Sequence, residues 1–501
     1  MSPIIQIADL NISAGEKSLL QLPQFTCHSG EVHAVVGESG SGKSLLLNCI
    51  MQLLPQSLST NGTIKIEFNA NSNPVSIPSL LELSKQEKQR LRGKYIGMVF
   101  QEPMSALNPQ MTCGAQLMEA WNIHCLRENR NKFNTILQKL QLVGLAESAD
   151  RILKSFPHQL SGGQRQRVMI VMATLHNPPL VLADEPTTAL DFTSRKQVMD
   201  DFLRIVKSMG STLIWVSHEL DLVQDYAQTV TVLRKGRFVQ YGTVQQVFHS
   251  EPSDYVKDLL KATPKAKSVI VQTENVTVRI RELSKSFGKG ASKVLALKDF
   301  SIELGPGQTL AIIGTSGSGK STLAKLLVGL ETLDGGSVEI NGETLPSHPP
   351  TGVQMVFQDP YASLNRRFTS FQAISEILRF VNPKLNANDI QTKSIELLEK
   401  VGFDDRLIHA KPDQMSGGQR QRLCIAKALA TNPQILILDE AVAALDPLIQ
   451  KQILELLTSL QIEKKLIYLF ITHNLDVAKS MADKWCFLSE GKTQEMPKEW
   501  A

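Results

Sequence analysis

The chain has 501 residues, with 53 basic and 49 acidic side chains, a net charge of +4, 42% hydrophobic residues and 20% charged ones. Such a composition supports a buried core and excludes wholesale disorder, and so even a charge balance leaves no footprint for nucleic acid. No apolar run reaches 18 residues, so no membrane-spanning helix is expected, and the first five residues show no basic-then-apolar leader.

In chain order, Val32-His33-Ala34-Val35-Val36 reads as a short buried strand. It runs into Gly37-Glu38-Ser39-Gly40-Ser41-Gly42-Lys43-Ser44, and Leu45-Leu46-Leu47 then starts a helical pattern. Phe100-Gln101 follows a polar, charged stretch, and residues 161–167 read SGGQRQR. An Asn177-Pro178 turn precedes the strand Leu180-Val181-Leu182-Ala183, which ends on Asp184-Glu185. A further strand, Thr212 to Val216, ends on Ser217-His218. Lys261 to Asn275 mixes Lys, Pro and Thr without periodicity and reads as a linker.

The same series then recurs. Strand Thr309 to Ile313 meets Gly314-Thr315-Ser316-Gly317-Ser318-Gly319-Lys320-Ser321, and Phe357-Gln358 and a second SGGQRQR at 416–422 follow. Asn432-Pro433 precedes Ile435 to Leu438 and Asp439-Glu440, and Leu466 to Ile471 precedes Thr472-His473. The SGGQ runs, acidic pairs and histidines all repeat at an offset of 255 (416 − 161, 440 − 185, 473 − 218). The glycine loops are offset by 277, so the first copy carries about twenty extra residues, placed within Asn61 to Gly93. The domains are set at 1–262 and 276–501, with a linker at 263–275. Strands alternating with helices imply a largely parallel sheet covered on both faces, with ligands at the carboxyl ends of its strands.

The residue types suit phosphate chemistry. In the GxxxxGK[ST] pattern, glycines let successive N–H groups curl around phosphate oxygens. Gly37, Ser39, Gly40 and Gly42 form one such loop and Gly314, Ser316, Gly317 and Gly319 the other, with Thr322 beside it. Lys43 and Lys320 reach the β- and γ-phosphates, and the hydroxyls of Ser44 and Ser321 suit Mg²⁺. Asp184 and Asp439 are placed to hold that metal, and Glu185 and Glu440 to act as general bases. Gln101 and Gln358 offer an amide to the metal or to the attacking water, and His218 and His473 read as γ-phosphate sensors. Ser161-Gly162-Gly163 and Ser416-Gly417-Gly418 form a second anion cradle with no lysine of its own, which suggests a site completed across an interface. The six cysteines form no CxxC pair and read as reduced thiols.

These motifs resemble the ATP-binding-cassette family, as two tandem cassettes over essentially the whole chain. The resemblance implies an α/β fold: two P-loop cassettes, each with a parallel-sheet core, an antiparallel β subdomain and a helical subdomain. It implies ATP and Mg²⁺ as cofactors, and two composite sites formed as the cassettes pair within one chain. Lys43, Ser44, Gln101, Asp184, Glu185 and His218 would face Ser416 and Gly418. Lys320, Ser321, Gln358, Asp439, Glu440 and His473 would face Ser161 and Gly163. Ala189-Leu190-Asp191 and Ala444-Leu445-Asp446 look like the loops coupling the sites. In such cassettes an aromatic after the first strand stacks on adenine; Phe287 stands there in the second copy, Ala14 in the first.

Phe100 to Pro109, Phe357 to Asn365, Phe156 to Ser161 and Glu251 to Leu260 are similar to the di- and oligopeptide/nickel importer subfamily. Fused members include the microcin C-type peptide importers. The implied role is the ATPase subunit of an importer, peripheral on the cytoplasmic face of the cell membrane. Its implied partners are two membrane permease subunits and an extracytoplasmic solute-binding protein, with no nucleic acid. The alternative is a soluble tandem-cassette ATPase acting on ribosomes or DNA. Such proteins carry a long charged helical linker or zinc-binding cysteines, and neither is seen in this sequence.

Overall fold

The computed structural model describes residues 2–70, 73–124, 132–187, 192–267, 271, 275–288, 294–315, 317–344, 352–443 and 445–494. The chain divides into two compact units, Met1–Lys261 and Ala262–Ala501.

In unit 1 the strands are β1 (Pro3–Ala14), β2 (Lys17–His28), β3 (Val32–Val36), β4 (Ser59–Ala70) and β5 (Asn73–Ile77), then β6 (Ile96–Val99), β7 (Leu180–Asp184), β8 (Thr212–Ser217), β9 (Thr229–Arg234) and β10 (Arg237–Thr243). They form one sheet in the order β5-β4-β1-β2-β10-β9-β3-β8-β7-β6. From β9 to β6 neighbours run parallel, and from β5 to β2 they run antiparallel. A single register pair, Arg237 with Gln21, joins the two parts. Every residue of β3, β7 and β8 is buried, as expected of parallel strands covered on both faces. Alternate residues of β1, among them Ile5, Ile7, Leu10 and Ile12, pack with Leu46, Leu47 and Ile50 of the helix Lys43–Ile50. The extra residues of this unit build the β4–β5 hairpin and the helix Lys85–Leu91, which a capping box from Ser84 and Glu87 starts.

In unit 2 the strands are β11 (Val278–Phe287), β12 (Val294–Leu304), β13 (Thr309–Gly314), β14 (Gly335–Ile340) and β15 (Glu343–Thr344), then β16 (Val353–Val356), β17 (Ile435–Asp439), β18 (Ile467–Ile471), β19 (Lys484–Ser489) and β20 (Lys492–Gln494). Here the antiparallel sheet β12-β11-β14-β15 is separate from the mainly parallel sheet β16-β17-β18-β13-β19-β20. Helices Ser370–Val381, Ala387–Lys400 and Gly417–Leu429 cover one face, joined to the sheet through Leu378, Leu398, Leu423, Leu438 and Phe470.

Part of the segment read as a linker is anchored. The buried carboxylate of Asp483 takes the Lys267 ammonium at 2.7 Å and the Val271 N–H at 2.7 Å. The same group accepts from the Thr309 N–H at the start of β13. Residues 267 and 271 are therefore held by unit 2, and one carboxylate satisfies three donors there.

Strained backbone repeats with the motifs. Asn177 and Asn432, and Glu185 and Glu440, all have φ between 46° and 50°. Side chains other than glycine rarely adopt that region.

Candidate functional site

In each unit the fully buried central strand, β3 or β13, delivers a glycine loop to the start of a helix. Gly42 and Gly319 are the N-caps of the helices Lys43–Ile50 and Lys320–Leu327, in left-handed conformations with φ 97° and 106°. A Cβ on Gly319 would lie 2.2 Å from the Ala296 carbonyl oxygen, so the loop can close only with glycine. Neither helix has a side-chain cap, so its first N–H groups face the loop, where an anion can take them. Lys43 Nζ donates to the Gly37 and Glu38 carbonyls, both at 2.8 Å, and Lys320 Nζ to those of Gly314 and Thr315, both at 2.8 Å. Each ammonium is thus folded back over its own loop. Ser39, Gly40 and Gly317 lie at the exposed crest. The buried Ser41 hydroxyl has no hydrogen-bond partner, an orphaned polar atom inside a cradle suited to phosphate oxygens. Thr322 lies in the first turn of the second loop's helix; Ser316 lies outside the described residues.

The carboxyl ends of β7 and β17 bring acids to these loops. Ser44 Oγ donates to Asp184 Oδ1 at 3.0 Å, and the Ser321 hydroxyl bonds Asp439. Burial pushes both aspartates above the usual carboxylate range, and the neighbouring Glu185 or Glu440 adds to the shift. Gln101 Nε2 donates to Glu185 Oε2 at 2.9 Å, and Gln358 Nε2 to Glu440 Oε2 at 2.6 Å. The other oxygen of each glutamate meets a histidine: His218 Nδ1 at 3.1 Å from Glu185 Oε1, and His473 Nδ1 at 3.3 Å from Glu440 Oε1. Burial opposes a charge on His218, yet the hydrogen bond and the negative charge of Glu185 outweigh it and hold the imidazole above its usual value.

Among the described residues no cluster of three or more His, Cys, Asp or Glu could hold a metal by itself. A serine hydroxyl, an amide and a buried carboxylate form instead a partial set of hard oxygen donors. That set fits Mg²⁺, which is commonly held by one or two carboxylates with substrate phosphates filling the remainder.

The structure does not add the SGGQ serines to the cluster of their own unit. Ser161 caps the helix Gly162–Thr174 and accepts from the Gln164 N–H at 3.3 Å. Ser416 caps the helix Gly417–Leu429 and accepts from the Gln419 N–H at 3.3 Å. Both serines are exposed, with Gly162, Gly163, Gly417 and Gly418 in the first helical turn behind them. Phe287 ends β11, is 41% exposed and lies 5.4 Å from Lys285 Nζ. Its counterpart is Ala14 at the end of β1. Each lies five residues after a left-handed bulge residue, Glu282 at φ 48° and Asp9 at φ 50°. Residues 189–191 and 444 lie outside the described residues; Asp446 is the N-cap of the helix Pro447–Lys464.

One buttress lies outside the sequence motifs. Glu219, next to His218, pairs with Arg195 and accepts from Thr187 Oγ1 at 3.1 Å. In unit 2 the three positions, at the same offset of 255, are Asn474, Gln450 and Val442. That joint replacement is a signal that comparing the two copies position by position would have caught.

Two segments of the chain, residues 20–188 and 297–443, match the ABC transporter family. The chain is 36% identical to the peptidoglycan transport ATP-binding protein YejF of Agrobacterium fabrum, over 98% of its own length and 92% of that protein's. It is 35% identical to the glutathione import ATP-binding protein GsiA of Escherichia coli K12, over 94% of its own length and 82% of that protein's. Among solved structures, the dimeric post-hydrolysis state of the ATP-binding cassette MJ0796 bound to ADP and Pi matches 44% of this chain and 97% of its own. The identity is 27% and the TM-score 0.40. With more than half of its length matched in two cassette segments, and relatives alike nearly end to end, this chain belongs to the ABC transporter family.

Proposed function

We propose that this chain is the ATP-binding and ATP-hydrolysing subunit of an ABC importer for peptides or related small solutes. The observation that carries this reading is the duplicated cluster: each unit places a phosphate loop, a buried aspartate and a Gln–Glu–His triad together. The relatives named for peptidoglycan transport and glutathione import supply the cargo class.

The chemistry follows from the donors. Loop N–H groups and Lys43 or Lys320 hold the nucleotide phosphates. Ser44 with Asp184, or Ser321 with Asp439, holds Mg²⁺, which supplies charge neutralisation when bound. Gln101 and His218 fix the Glu185 carboxylate in one orientation, so that it can take a proton from the attacking water. Gln358 and His473 do the same for Glu440. Ser161 and Ser416, exposed at helix N-termini, complete the phosphate shell of the opposite cassette as the two cassettes pair within the chain. Among the described residues no helix is long and apolar enough to cross a membrane. In this reading the chain docks peripherally, from the cytoplasmic side, on two membrane permease subunits that work with a solute-binding protein outside.

The test is the Glu185→Gln, Glu440→Gln double variant. ATP turnover falls by at least about 100-fold, the scale of a lost general base, while ATP binding persists; undiminished turnover rejects these bases. Co-purification of membrane permeases with the tagged chain supports the importer role, and co-purification of ribosomes or DNA in their place rejects it.

A further inference from the structure

The first phosphate loop is gripped by a residue far outside its motif. Tyr255 lies in the helix Asp254–Lys261, the last helix of unit 1, and is 4% exposed. Its hydroxyl accepts the Glu38 backbone N–H at 3.1 Å and also bonds the Glu38 carboxylate. The Glu38 carbonyl, meanwhile, accepts from Lys43 Nζ at 2.8 Å and from the Ser41 N–H at 3.1 Å. Both backbone polar groups of one loop residue are therefore fixed, one by Tyr255 and the other by the phosphate-binding lysine.

The tyrosine is itself held. Arg234, the last residue of β9, lies with its guanidinium 4.6 Å from the Tyr255 ring centroid. Its neighbour Leu233 packs so close to Gly37 that a Cβ there would lie 2.1 Å from the Leu233 carbonyl oxygen. The end of β9 thus sets both the entry of the loop and the ring that clamps it. In unit 2, Thr315 takes the place of Glu38, and its carbonyl accepts from Lys320 in the same way. Among the described residues no side chain accepts the Thr315 N–H.

We propose that Tyr255 is a positioning residue of the first nucleotide site only, holding the Glu38 peptide so that Lys43 and the loop N–H groups are set for phosphate before nucleotide arrives. A preset loop loses less freedom on binding, so the clamp acts on nucleotide affinity. This rests on the reading of Lys43 as a nucleotide ligand.

The experiment measures Mg-ATP binding by calorimetry on the full chain. Lys320→Ala leaves the first site to be read, and Lys43→Ala leaves the second. Tyr255→Phe, which keeps the ring over Arg234 and removes the hydroxyl, weakens binding at the first site about three- to tenfold and leaves the second site's affinity unmoved. Arg234→Ala, which keeps the hydroxyl and loosens the ring, shifts the first site in the same direction. Equal weakening at both sites, or a lower melting temperature with unchanged affinity for both variants, means that Tyr255 only packs its helix and overturns the proposal. Lys43→Ala separates the two readings. Retained binding at the first site sinks the site assignment and the clamp with it, whereas lost binding there with Tyr255→Phe unchanged sinks the clamp alone.

Discussion

Glu185 Oε1 and His218 Nδ1 stand 3.1 Å apart at the ends of the adjacent strands β7 and β8. The contact is possible because Glu185 takes a left-handed backbone conformation just past its strand and donates its own N–H to the Val216 carbonyl. A glutamate that continued the strand regularly would point elsewhere. Strain at this position, repeated at Glu440, is thus tied to the geometry of the proposed general base.

The pair predicts a titration. His218 is buried, which by itself lowers an imidazole pKa, and the Glu185 carboxylate reverses the sign. A group raised on folding contributes stability below its unfolded value, near 6.5, and loses it as pH climbs through the raised folded value. In nucleotide-free protein the His218 ring therefore titrates above its ordinary value by NMR. Glu185→Gln leaves burial without the carboxylate, so the midpoint moves down. A midpoint that does not move assigns the shift to some other group.

Adenine stacking gives a second prediction. Phe287 and Ala14 occupy matched ends of β11 and β1, and only the former presents a ring, largely open to solvent. A stacking contact of about 0.5–1.5 kcal/mol corresponds to roughly two- to tenfold in affinity. Phe287→Ala, read in a Lys43→Ala background, weakens ATP binding at the second site by that factor. Ala14→Phe, read in a Lys320→Ala background, strengthens it at the first. Equal affinities before and after either change remove these residues from the adenine site.

The sequence exposed those parts of the fold that use local chemistry. Apolar runs ending in Asp184-Glu185 or Ser217-His218 are strands because β-branched and aliphatic residues fill a two-sided interior, and the structure has them as β7 and β8. The strand order, and the single pair Arg237–Gln21 that merges two sheets in unit 1, depend on contacts between distant residues and leave no periodic trace. Tyr255 was visible only as part of a resembling segment. Its grip on Glu38 spans 217 positions, and no spacing rule connects a tyrosine to a backbone N–H so far away. The anchoring of Lys267 was hidden for the same reason: its partner, Asp483, lies 216 residues on.

The Arg195–Glu219 buttress gives a stability prediction that separates charge from packing. Both side chains are about nine-tenths buried, at 11% and 10% exposure, so the pair is shielded from solvent and screened little by salt. Removing only the cation leaves Glu219, among the described residues, with Thr187 as its remaining side-chain hydrogen-bond donor in a poorly hydrated position. Losing one partner of a buried pair costs about 3 kcal/mol, because the other charge stays uncompensated. Arg195→Gln therefore destabilises unit 1 by about that much, read by hydrogen exchange of the β8 amides so that unit 2 does not contribute. Unit 2 carries Gln450 and Asn474 at these positions, and Asn474 caps its own helix, Leu475–Met481, through the Asp476 and Val477 N–H groups. Adding Glu219→Asn to Arg195→Gln removes the stranded carboxylate and supplies the same cap, so most of the lost stability returns. If the double variant is no more stable than the single one, the cost came from lost packing around the arginine stem, and the buried-charge account of this buttress is wrong.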